Sequence, residues 1–344
     1  MNTIEKDANE IINNRLPWEL FKNCTFLISG ATGLLASYML ETLMMLNNIK
    51  NYNIKIIALV RNRVKADKKF YNHRNRKNLI IIENDVCAPL IINEKIDYII
   101  HAASNADPQY FFSDPVGTIK SNTIGTINLL EIAKKCKSKC FFYFSSGEVY
   151  GDIFDKHQGG IKEDDYGVIN HVNIRHCYAE AKRMGEAICL SYHNQFKIPT
   201  SIVRPSHTYG PGIDLNDSRA FASFLNYVIK GQNIILNSDG LAKRSYLYLM
   251  DATLAYLTIM LKGSPFGIYN VGNSYEISIL ELANIVIKAS ANKNLKVEFS
   301  KDFKINSSPS KNGLLCIDNV TSLGWKPSTN ELEGFKRTIK FFNE

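Results

Sequence analysis

Long hydrophobic runs are missing from this chain: no apolar stretch of its 344 residues approaches the roughly 20 residues that a membrane-spanning helix needs. Residues 1–17 carry charges and asparagines and show no signal-peptide core. Internal repeats and low-complexity tracts are missing as well. From these absences we expect a cytoplasmic globular protein with no membrane contact.

Clustered cysteines and histidines are also missing. The seven cysteines, an odd number, are scattered along the chain, which favours reduced thiols over a disulfide framework. Cys136 and Cys140 lie four residues apart, but no second Cys/His pair follows them, so we expect no metal site.

Concentrated charge is scarce too. The net charge of +8 suits an anionic small ligand. The basic residues are dispersed except for a denser run at 61–77, which is more typical of a solvated loop and helix face than of a nucleic-acid surface. We therefore expect no nucleic-acid partner.

The stretch at residues 24–40 predicts a strand, a tight turn and a helix. The run Thr25 to Ile28 reads as a buried strand, and small residues at Gly30, Gly33 and Ala36 precede an apolar helical pattern. A glycine at the first position allows the turn, and one at the second lets the backbone approach a pyrophosphate at the helix N-terminus. The pattern favours dinucleotide binding, and the cofactor contacts predicted here are Gly30, Thr32, Gly33 and Leu34.

Apolar strand-like runs alternate with helical patterns after this stretch. The predicted strands are 54–60, 79–82, 96–101 and 141–144, and the longer predicted helices are 115–135 and 177–192. This alternation predicts an α/β, Rossmann-type, doubly wound parallel sheet. Ligands of such sheets bind at the carboxyl ends of the strands.

The end of the second predicted strand departs from the usual NAD pattern. An acidic residue usually follows this strand and takes the ribose hydroxyl, but here Val60 is followed by Arg61 and Asn62. Arg61 favours a 2′-phosphate or stacks on adenine, which makes NADP an option beside NAD. Alternatively, Arg61 is only a surface residue and Asn62 meets the ribose.

Small and polar residues follow the next two predicted strands. Asp85 could hold the adenine amine, and small residues after the fourth strand would let a ligand lie against the backbone. The further cofactor contacts expected here are Asp85, Val86, Ala102, Ala103 and Ser104.

Tyr178 and Lys182 are spaced to lie on one face of a predicted helix. A nearby ammonium lowers the pKa of a phenol, so we expect the tyrosine to act as a base near neutral pH. Such pairs are also common for structural reasons. This one gains weight because it follows the nucleotide pattern and a strand that ends in Ser145-Ser146-Gly147-Glu148.

Several motifs occur in an order that is typical of one enzyme family. They are His101–Ser104, Pro108–Tyr110, Thr118–Thr126, Gly147–Asp152, His176–Arg183, Arg204–Pro211, Lys243–Tyr246, Tyr269–Asn273, Ile279–Ala283 and Leu323–Trp325. With these motifs the chain resembles the extended short-chain dehydrogenase/reductases that modify nucleotide sugars, over nearly its whole length. Within that family it looks most similar to the UDP-glucuronate decarboxylases.

The resemblance implies a role for each matching residue. Tyr178 would take the proton of the sugar 4-hydroxyl while NAD(P)⁺ accepts the C4 hydride, and Lys182 would hold the nicotinamide ribose. Ser146 would hydrogen-bond the 4-keto oxygen, and Glu148 would act around C4 and C5. Arg244 would bind diphosphate or donate a proton, unless it forms a structural salt bridge. The resemblance also implies a cofactor contact from Arg204 and substrate contacts from Ser104, Ser146, His207, Arg219 and Arg244.

Two positions depart from the family pattern. Gly147 stands where dehydratases carry an aspartate and decarboxylases a serine, which argues more against dehydration than against decarboxylation or epimerisation. His207 stands where an asparagine often touches the diphosphate. We expect UDP-glucuronate decarboxylation, with 4-epimerisation, 4,6-dehydration and NADPH-dependent 4-keto reduction as alternatives. A dinucleotide-bound regulatory or RNA-binding protein on the same fold is the non-enzyme alternative.

We expect two domains and a homodimer. Residues 1–205 would form the dinucleotide-binding domain, with segments near 245–275 returning to it, and 206–344 would mainly form a smaller α/β substrate-binding domain. Relatives often dimerise through the two long helices. The apolar residues Ile124, Ile127 and Leu130 fit such an interface, or simply the face that covers the sheet.

Overall fold

The computed structural model describes residues 1–153, 159–300 and 313–344. The strands are β1 (Thr25–Ser29), β2 (Lys55–Val60), β3 (Leu79–Glu83), β4 (Tyr98–His101), β5 (Cys140–Phe144), β6 (Thr200–Pro205), β7 (His207–Tyr209), β8 (Ile234–Leu236), β9 (Lys243–Arg244), β10 (Tyr246–Tyr248), β11 (Phe266–Val271), β12 (Ile277–Ser278) and β13 (Val297–Phe299). The helices are α1 (Thr3–Ile12), α2 (Leu34–Lys50), α3 (Arg63–Lys69), α4 (Tyr110–Ser113), α5 (Pro115–Cys136), α6 (Cys177–Phe196), α7 (Ala220–Ile229), α8 (Leu249–Lys262), α9 (Ile279–Ser290), α10 (Asp318–Ser322) and α11 (Glu331–Phe342).

Seven of these strands form one parallel sheet in the order β11-β6-β5-β4-β1-β2-β3. From β1 the chain builds outward through β2 and β3, then returns to place β4 on the other side of β1. This reversal opens a crevice at the carboxyl ends of β1 and β4, where such sheets bind ligands. The predicted Rossmann-type doubly wound fold is confirmed.

Alternate side chains of each central strand enter separate hydrophobic clusters. Along β1, Phe26 and Ile28 pack in a cluster with residues of α1, α2 and α8, whereas Leu27 packs with residues of α5 and α6. Both faces of the sheet are therefore covered by helices, as a parallel sheet requires.

Element boundaries differ from the predicted ones by a few residues. β4 begins at Tyr98 rather than residue 96, and at Asp97 the side-chain carboxylate accepts a hydrogen bond from the Thr25 backbone N–H at 3.0 Å. α6 continues four residues beyond the predicted end and stops where Lys197 adopts a left-handed conformation, with φ of 58°.

The N-terminal segment packs against the first residues of the central strands β1 and β4. Phe21 contacts the rings of Phe26 and Tyr98 edge-on, each at 5.1 Å between centroids. Asp7 of α1 is buried, and its carboxylate accepts hydrogen bonds from the hydroxyls of Tyr38 and Tyr248.

Arg337 of α11 completes this buried contact with an ion pair to Asp7 at 2.8 Å. The Asp7 carboxylate therefore ties α1 to α2, to β10 and to α11.

The chain after β6 builds a smaller part from short strands and helices. β7 pairs with β10 and β8 with β13, both parallel, while β9 and β12 pair antiparallel. α7, α9 and α11 contact one another beside these strands. The segment that contains α8 and β11 returns to the large sheet, where β11 pairs with β6.

The seven cysteines are all free thiols. Among the residues that the structure describes, no helix has both the length and the apolar character needed to cross a membrane.

Candidate active site

A cavity of about 1050 Å³ lies over the carboxyl ends of the central strands. Residues of the smaller part, among them His207 and Arg244, line it from the side opposite the sheet. It brings together most of the residues predicted from the sequence, namely Thr32, Gly33, Leu34, Ala102, Ser104, Ser146, Glu148, Tyr178, Lys182, His207, Arg219 and Arg244.

The turn after β1 forms a cradle at one end of this cavity. Gly30 has φ of +64°, and a Cβ atom there would lie 2.7 Å from the Cα and N atoms of Ala103, so the close approach requires glycine. Gly33 is the N-cap of α2 and makes no side-chain capping bond, and the first turn of α2 lines the cavity. The backbone N–H groups of that turn fit the pyrophosphate of a dinucleotide.

A buried histidine fastens the two strands that flank the crevice. His101 Nδ1 lies 2.8 Å from Ser29 Oγ, at the end of β1, and its Nε2 lies 3.1 Å from Thr126 Oγ1 of α5. Burial lowers the pKa of His101 to about 3, so the ring is neutral and needs one donor and one acceptor partner.

Tyr178 lies in the first turn of α6, with its ring stacked on Phe111 at 4.8 Å between centroids. Its hydroxyl hydrogen-bonds Ser146, which favours the phenolate, but burial is the larger influence and raises the pKa of Tyr178 to about 12. The expectation that Lys182 lowers the pKa of this phenol below its usual value is therefore wrong for this structure.

The position of Lys182 explains that result. Its ammonium donates to the carbonyl oxygen of Phe144 at 2.5 Å and lies 5.7 Å from the centroid of the Tyr178 ring. Burial lowers the pKa of Lys182 to about 7, although the carboxylate of Glu186 favours the charged form. The two groups share one helix face, as predicted, but desolvation outweighs their mutual effect.

Glu148 enters the cavity from a short 3₁₀ helix, Gly147–Tyr150, that follows β5. Ser146 caps this helix by accepting the Glu148 backbone N–H at 3.2 Å. Arg175 Nη1 lies 3.6 Å from Glu148 Oε2, and its guanidinium lies 5.0 Å from the centroid of the Phe111 ring.

Sequence analysis missed Arg175, which also lines the cavity. Its only sequence signal is its position three residues before Tyr178, on the 3₁₀ turn Ile174–His176 that leads into α6.

The smaller part contributes cationic and aromatic groups. Arg244 Nη1 donates to the carbonyl of Lys243 at 2.7 Å, and Arg219 forms an ion pair with Asp217 at 2.5 Å. Burial lowers the pKa of His207 to about 3, and Arg244 and Arg219 act in the same direction, so this ring is neutral.

A known family model matches most of this chain. The sequence model described as "NAD dependent epimerase/dehydratase family" matches residues 26–272 of this chain. The chain belongs to that family.

Individual relatives agree with this assignment. UDP-glucuronic acid decarboxylase 5 of Arabidopsis thaliana is 31% identical over 312 residues, which cover 91% of this chain and 87% of the relative. UDP-glucuronic acid 4-epimerase from Bacillus cereus, solved with UDP-glucuronic acid and NAD, aligns with a TM-score of 0.75 at 20% identity over 93% of this chain and 99% of its own. The dTDP-glucose 4,6-dehydratase from Bacillus anthracis, solved with NAD, gives a TM-score of 0.73 at 18% identity over 93% and 96% of the two chains.

This member of the NAD-dependent epimerase/dehydratase family does not bring every predicted cofactor residue to the cavity. Arg204 is buried and binds Glu186 through two hydrogen bonds, Nε to Oε1 at 2.9 Å and Nη2 to Oε2 at 2.6 Å. Its Nη1 donates to the Tyr150 hydroxyl at 2.9 Å. These contacts support a structural role for Arg204 in place of the predicted cofactor contact.

The predicted cofactor residues after β2 and β3 also form hydrogen bonds within the chain. Arg61 Nη2 donates to Asn105 Oδ1 at 3.1 Å, and Asn62 caps α3 by accepting the Lys65 N–H at 2.7 Å. The carboxylate of Asp85 accepts the backbone N–H of Cys87 at 2.8 Å. Of the predicted cofactor residues, those absent from the cavity lining are Gly30, Arg61, Asn62, Asp85, Val86, Ala103 and Arg204.

Two lysines of α3 line the cavity without having been predicted. Lys65 and Lys69 lie beside the turn after β1, where Lys69 Nζ donates to the carbonyl oxygen of Thr32 at 3.2 Å. No motif marks them, because they follow β2 within the basic run that looked like a solvated helix face.

Proposed function

We propose that this chain acts on a nucleotide-activated hexuronate and that UDP-glucuronate decarboxylation is its reaction. The observation that carries the proposal is one cavity that holds both the hydrogen-bonded Ser146–Tyr178 pair and the Glu148–Arg175 ion pair. The sequence similarity to UDP-glucuronic acid decarboxylase 5 of A. thaliana supports the choice among the family's reactions.

The first pair suits proton transfer at the sugar 4-hydroxyl. Tyr178, as its phenolate, takes the hydroxyl proton and becomes the phenol, and Ser146, hydrogen-bonded to the same oxygen, stabilises the sugar oxygen as it becomes a ketone. The cradle after β1 would hold a nicotinamide dinucleotide, which would supply the acceptor for the C4 hydride and later its donor. Lys182, whose ammonium donates to the Phe144 carbonyl oxygen in the buried floor of the site, is proposed to hold the nicotinamide ribose.

A ketone at C4 weakens the bond between C5 and its carboxylate. Carbon dioxide leaves with C5 left as an enolate, whose negative oxygen Ser146 and Tyr178 stabilise by hydrogen bonding. A proton then returns to C5, for which Glu148 and Arg244 are the candidate donors in the cavity.

The position before Glu148 argues against loss of water. Gly147 carries no acid that could protonate a leaving hydroxyl, and a Cβ atom there would have its nearest neighbours, Leu315 Cδ1 and the Pro205 carbonyl oxygen, at 3.7 Å. Space for a side chain exists at this position, but the chemical group is absent.

The cationic residues of the cavity suit an anionic substrate. Arg219 and Arg244 lie on the smaller part and are proposed to bind the diphosphate, together with the neutral ring of His207 and the hydroxyl of Ser104. A nucleoside diphosphate linked to a hexuronate carries charge at both ends, in keeping with the arginines along this cavity.

The deciding experiment is product mass after incubation of the purified protein with a panel of nucleotide sugars, UDP-glucuronate included, without added reductant. Loss of the mass of carbon dioxide from UDP-glucuronate supports the proposal. Loss of water would mean a dehydratase, a new isomer of unchanged mass an epimerase, and reaction only with NADPH a reductase; each of these would overturn it.

Two substitutions test the residue assignments once the product is known. Glu148→Gln and Arg244→Ala should each lower turnover strongly while dinucleotide binding is retained. Normal turnover in either variant would remove that residue from the mechanism.

We further propose two domains, a homodimer and a cytoplasmic location. Pairing of β11 with β6 supports residues 1–205 plus segments near 245–275 as the dinucleotide-binding domain, with the rest of 206–344 binding substrate.

The three apolar residues considered for a dimer contact do not share one environment. Ile124 and Ile127 are exposed on the outer face of α5, whereas Leu130 is buried in the core. That outer face is the proposed homodimer contact.

A further inference from the structure

Two ammonium groups lie together at the adenosine end of the cavity. Lys65 and Lys69 are one helical turn apart on α3, so they share a face, and both line the cavity. Lys69 Nζ donates to the carbonyl of Thr32, which places the end of α3 against the cradle after β1. The pair therefore borders the place where the ribose of a dinucleotide lies in such folds, between the first turn and the end of the second strand.

Nearby carboxylates are engaged elsewhere. Asp67 binds Arg63 at 2.8 Å, and Glu41 lies 2.7 Å from His73 Nε2. Within the described part of the chain, neither Lys65 nor Lys69 forms an ion pair. Burial, and then repulsion from Lys65, lowers the pKa of Lys69 to about 8 against the weaker attraction of the Glu41 carboxylate, so the fold holds this charge at a cost.

Two like charges at the rim of a ligand cavity suit an anionic group on the ligand. The residue that usually prevents such a group from binding is missing, because Arg61 follows β2 directly, where NAD-specific folds place a carboxylate. The amide oxygen of Asn62 is used to cap α3. Arg61, the residue that the sequence favoured for a phosphate, donates instead to Asn105, outside the cavity lining.

We infer that Lys65 and Lys69 bind the 2′-phosphate of a phosphorylated dinucleotide, so that this family member favours NADP over NAD. Two lysines provide charge-assisted hydrogen bonds to phosphate oxygens. The inference concerns the cofactor only, so it stands or falls independently of the proposed decarboxylation.

Binding of cofactor fragments to the full-length chain tests the inference without any turnover. Calorimetry would compare 2′,5′-ADP, which carries the extra phosphate, with 5′-ADP, which does not. We expect the former to bind at least about tenfold more tightly, as one or two charge-assisted contacts provide. Equal affinities, or a preference for 5′-ADP, would overturn the inference.

Substitutions separate the 2′-phosphate from the pyrophosphate. Lys65→Met and Lys69→Met should each weaken 2′,5′-ADP binding about tenfold and change 5′-ADP binding by less than about twofold. The control is Lys68→Met, an exposed lysine of the same helix that does not line the cavity. If both ligands weaken equally in the Lys65 and Lys69 variants, the lysines serve the pyrophosphate or the fold, and the inference is wrong.

Discussion

At the scale of single residues, burial drives Tyr178 and Lys182 toward their neutral forms. The pKa of the phenol rises to about 12 and that of the ammonium falls to about 7. Formation of the phenolate at Tyr178 therefore costs more free energy at neutral pH than it would in water, whereas Lys182 gives up its proton more readily than an exposed lysine does. The proposed base thus needs a nearby positive charge, which the cationic nicotinamide ring of an oxidised cofactor would supply.

Replacing Tyr178 by phenylalanine removes the proposed base and keeps the ring that stacks on Phe111. We expect Tyr178→Phe to lower kcat by about 10²- to 10⁴-fold, the usual share of general acid–base catalysis, in a steady-state assay of product formation. The matched control is Tyr192→Phe on the same helix, whose hydroxyl donates to Glu131 outside the cavity. Comparable rates for the two variants would exclude Tyr178 as the base.

Arg175 is expected to orient Glu148. Arg175→Met should lower kcat about 10- to 100-fold with KM within about twofold, because a displaced catalytic group loses rate more than affinity. Arg74→Met is the control, since Arg74 also lies over an aromatic ring, 3.7 Å from the centroid of Tyr71, but away from the cavity. A rise in KM at constant kcat would instead make Arg175 a substrate-binding residue.

Sequence alone identified several residues that line the cavity, but not their surroundings. Ser146, Glu148, Tyr178 and Lys182 could be predicted because each sits in a local pattern, at a strand end or on one helix face. Arg175 could not be predicted, because its proposed role depends on an ion pair with Glu148, and the two residues lie on separate 3₁₀ helices. The direction of the Tyr178 pKa shift also depends on burial, which no local spacing reports.

At the scale of elements, the turn between β1 and α2 depends on one glycine for two separate reasons. Gly30→Ala combines a left-handed backbone with a Cβ atom only 2.7 Å from the backbone of Ala103. It should lower the free energy of unfolding by about 2–5 kcal/mol. Gly231 has a similar φ of +69° with nothing near its would-be Cβ, so Gly231→Ala should cost only about 1–2 kcal/mol. Denaturant titration of both variants measures the difference, and equal losses would show that the close approach contributes nothing.

The buried hydrogen bonds of His101 join β4 to β1 and α5, and they predict that the folded state loses stability in acid. The folded pKa is about 3, below the ordinary value of 6.5, so the folded state holds the neutral ring and the unfolded state takes up a proton first. The stability from this group is complete above pH 6.5 and is lost as the pH falls toward 3, at about 1.4 kcal/mol per pH unit.

Denaturant titrations at several pH values between 6.5 and 4 measure this slope. In His101→Gln the loss of stability per pH unit should be smaller by about 1.4 kcal/mol, whatever the variant's stability at pH 7. Parallel slopes for His101→Gln and the unchanged chain would contradict the assignment.

Most of the sheet could be predicted from short apolar runs. The predicted bounds of β1, β2, β3 and β5 each differ from the observed bounds by one residue. The return of β11 to the sheet was only expected in outline, because its partner β6 lies more than sixty residues earlier and nothing local specifies the pairing. The ends of α6 and β4 lie at a left-handed lysine and beside a buried carboxylate contact.

At the scale of the whole molecule, the proposed homodimer depends on the outer faces of α5 and α6. Ile119, Ile124 and Ile127 of α5 and Leu190 of α6 are exposed apolar residues on the two long helices. We expect light scattering to give twice the monomer mass, and Ile124→Glu to give the monomer, because a charge at the contact would be buried without a partner. Ile91→Glu, at an exposed isoleucine outside both helices, should keep the dimer.

The same measurement can refute the assembly. A monomer mass for the unchanged chain, or an Ile124→Glu variant that stays dimeric, would show that another surface, or none, joins the subunits.

The buried carboxylate of Asp7 has a practical consequence for anyone who trims the chain. A truncation that starts at β1, where the dinucleotide-binding pattern begins, would delete α1 and leave the hydroxyls of Tyr38 and Tyr248 and the guanidinium of Arg337 without their shared acceptor. Thr3 also donates through its N–H and its hydroxyl to the carboxylate of Glu344, which joins the two ends of the described chain. A purification tag is therefore better separated from residue 3 and residue 344 by a flexible spacer than fused directly against either.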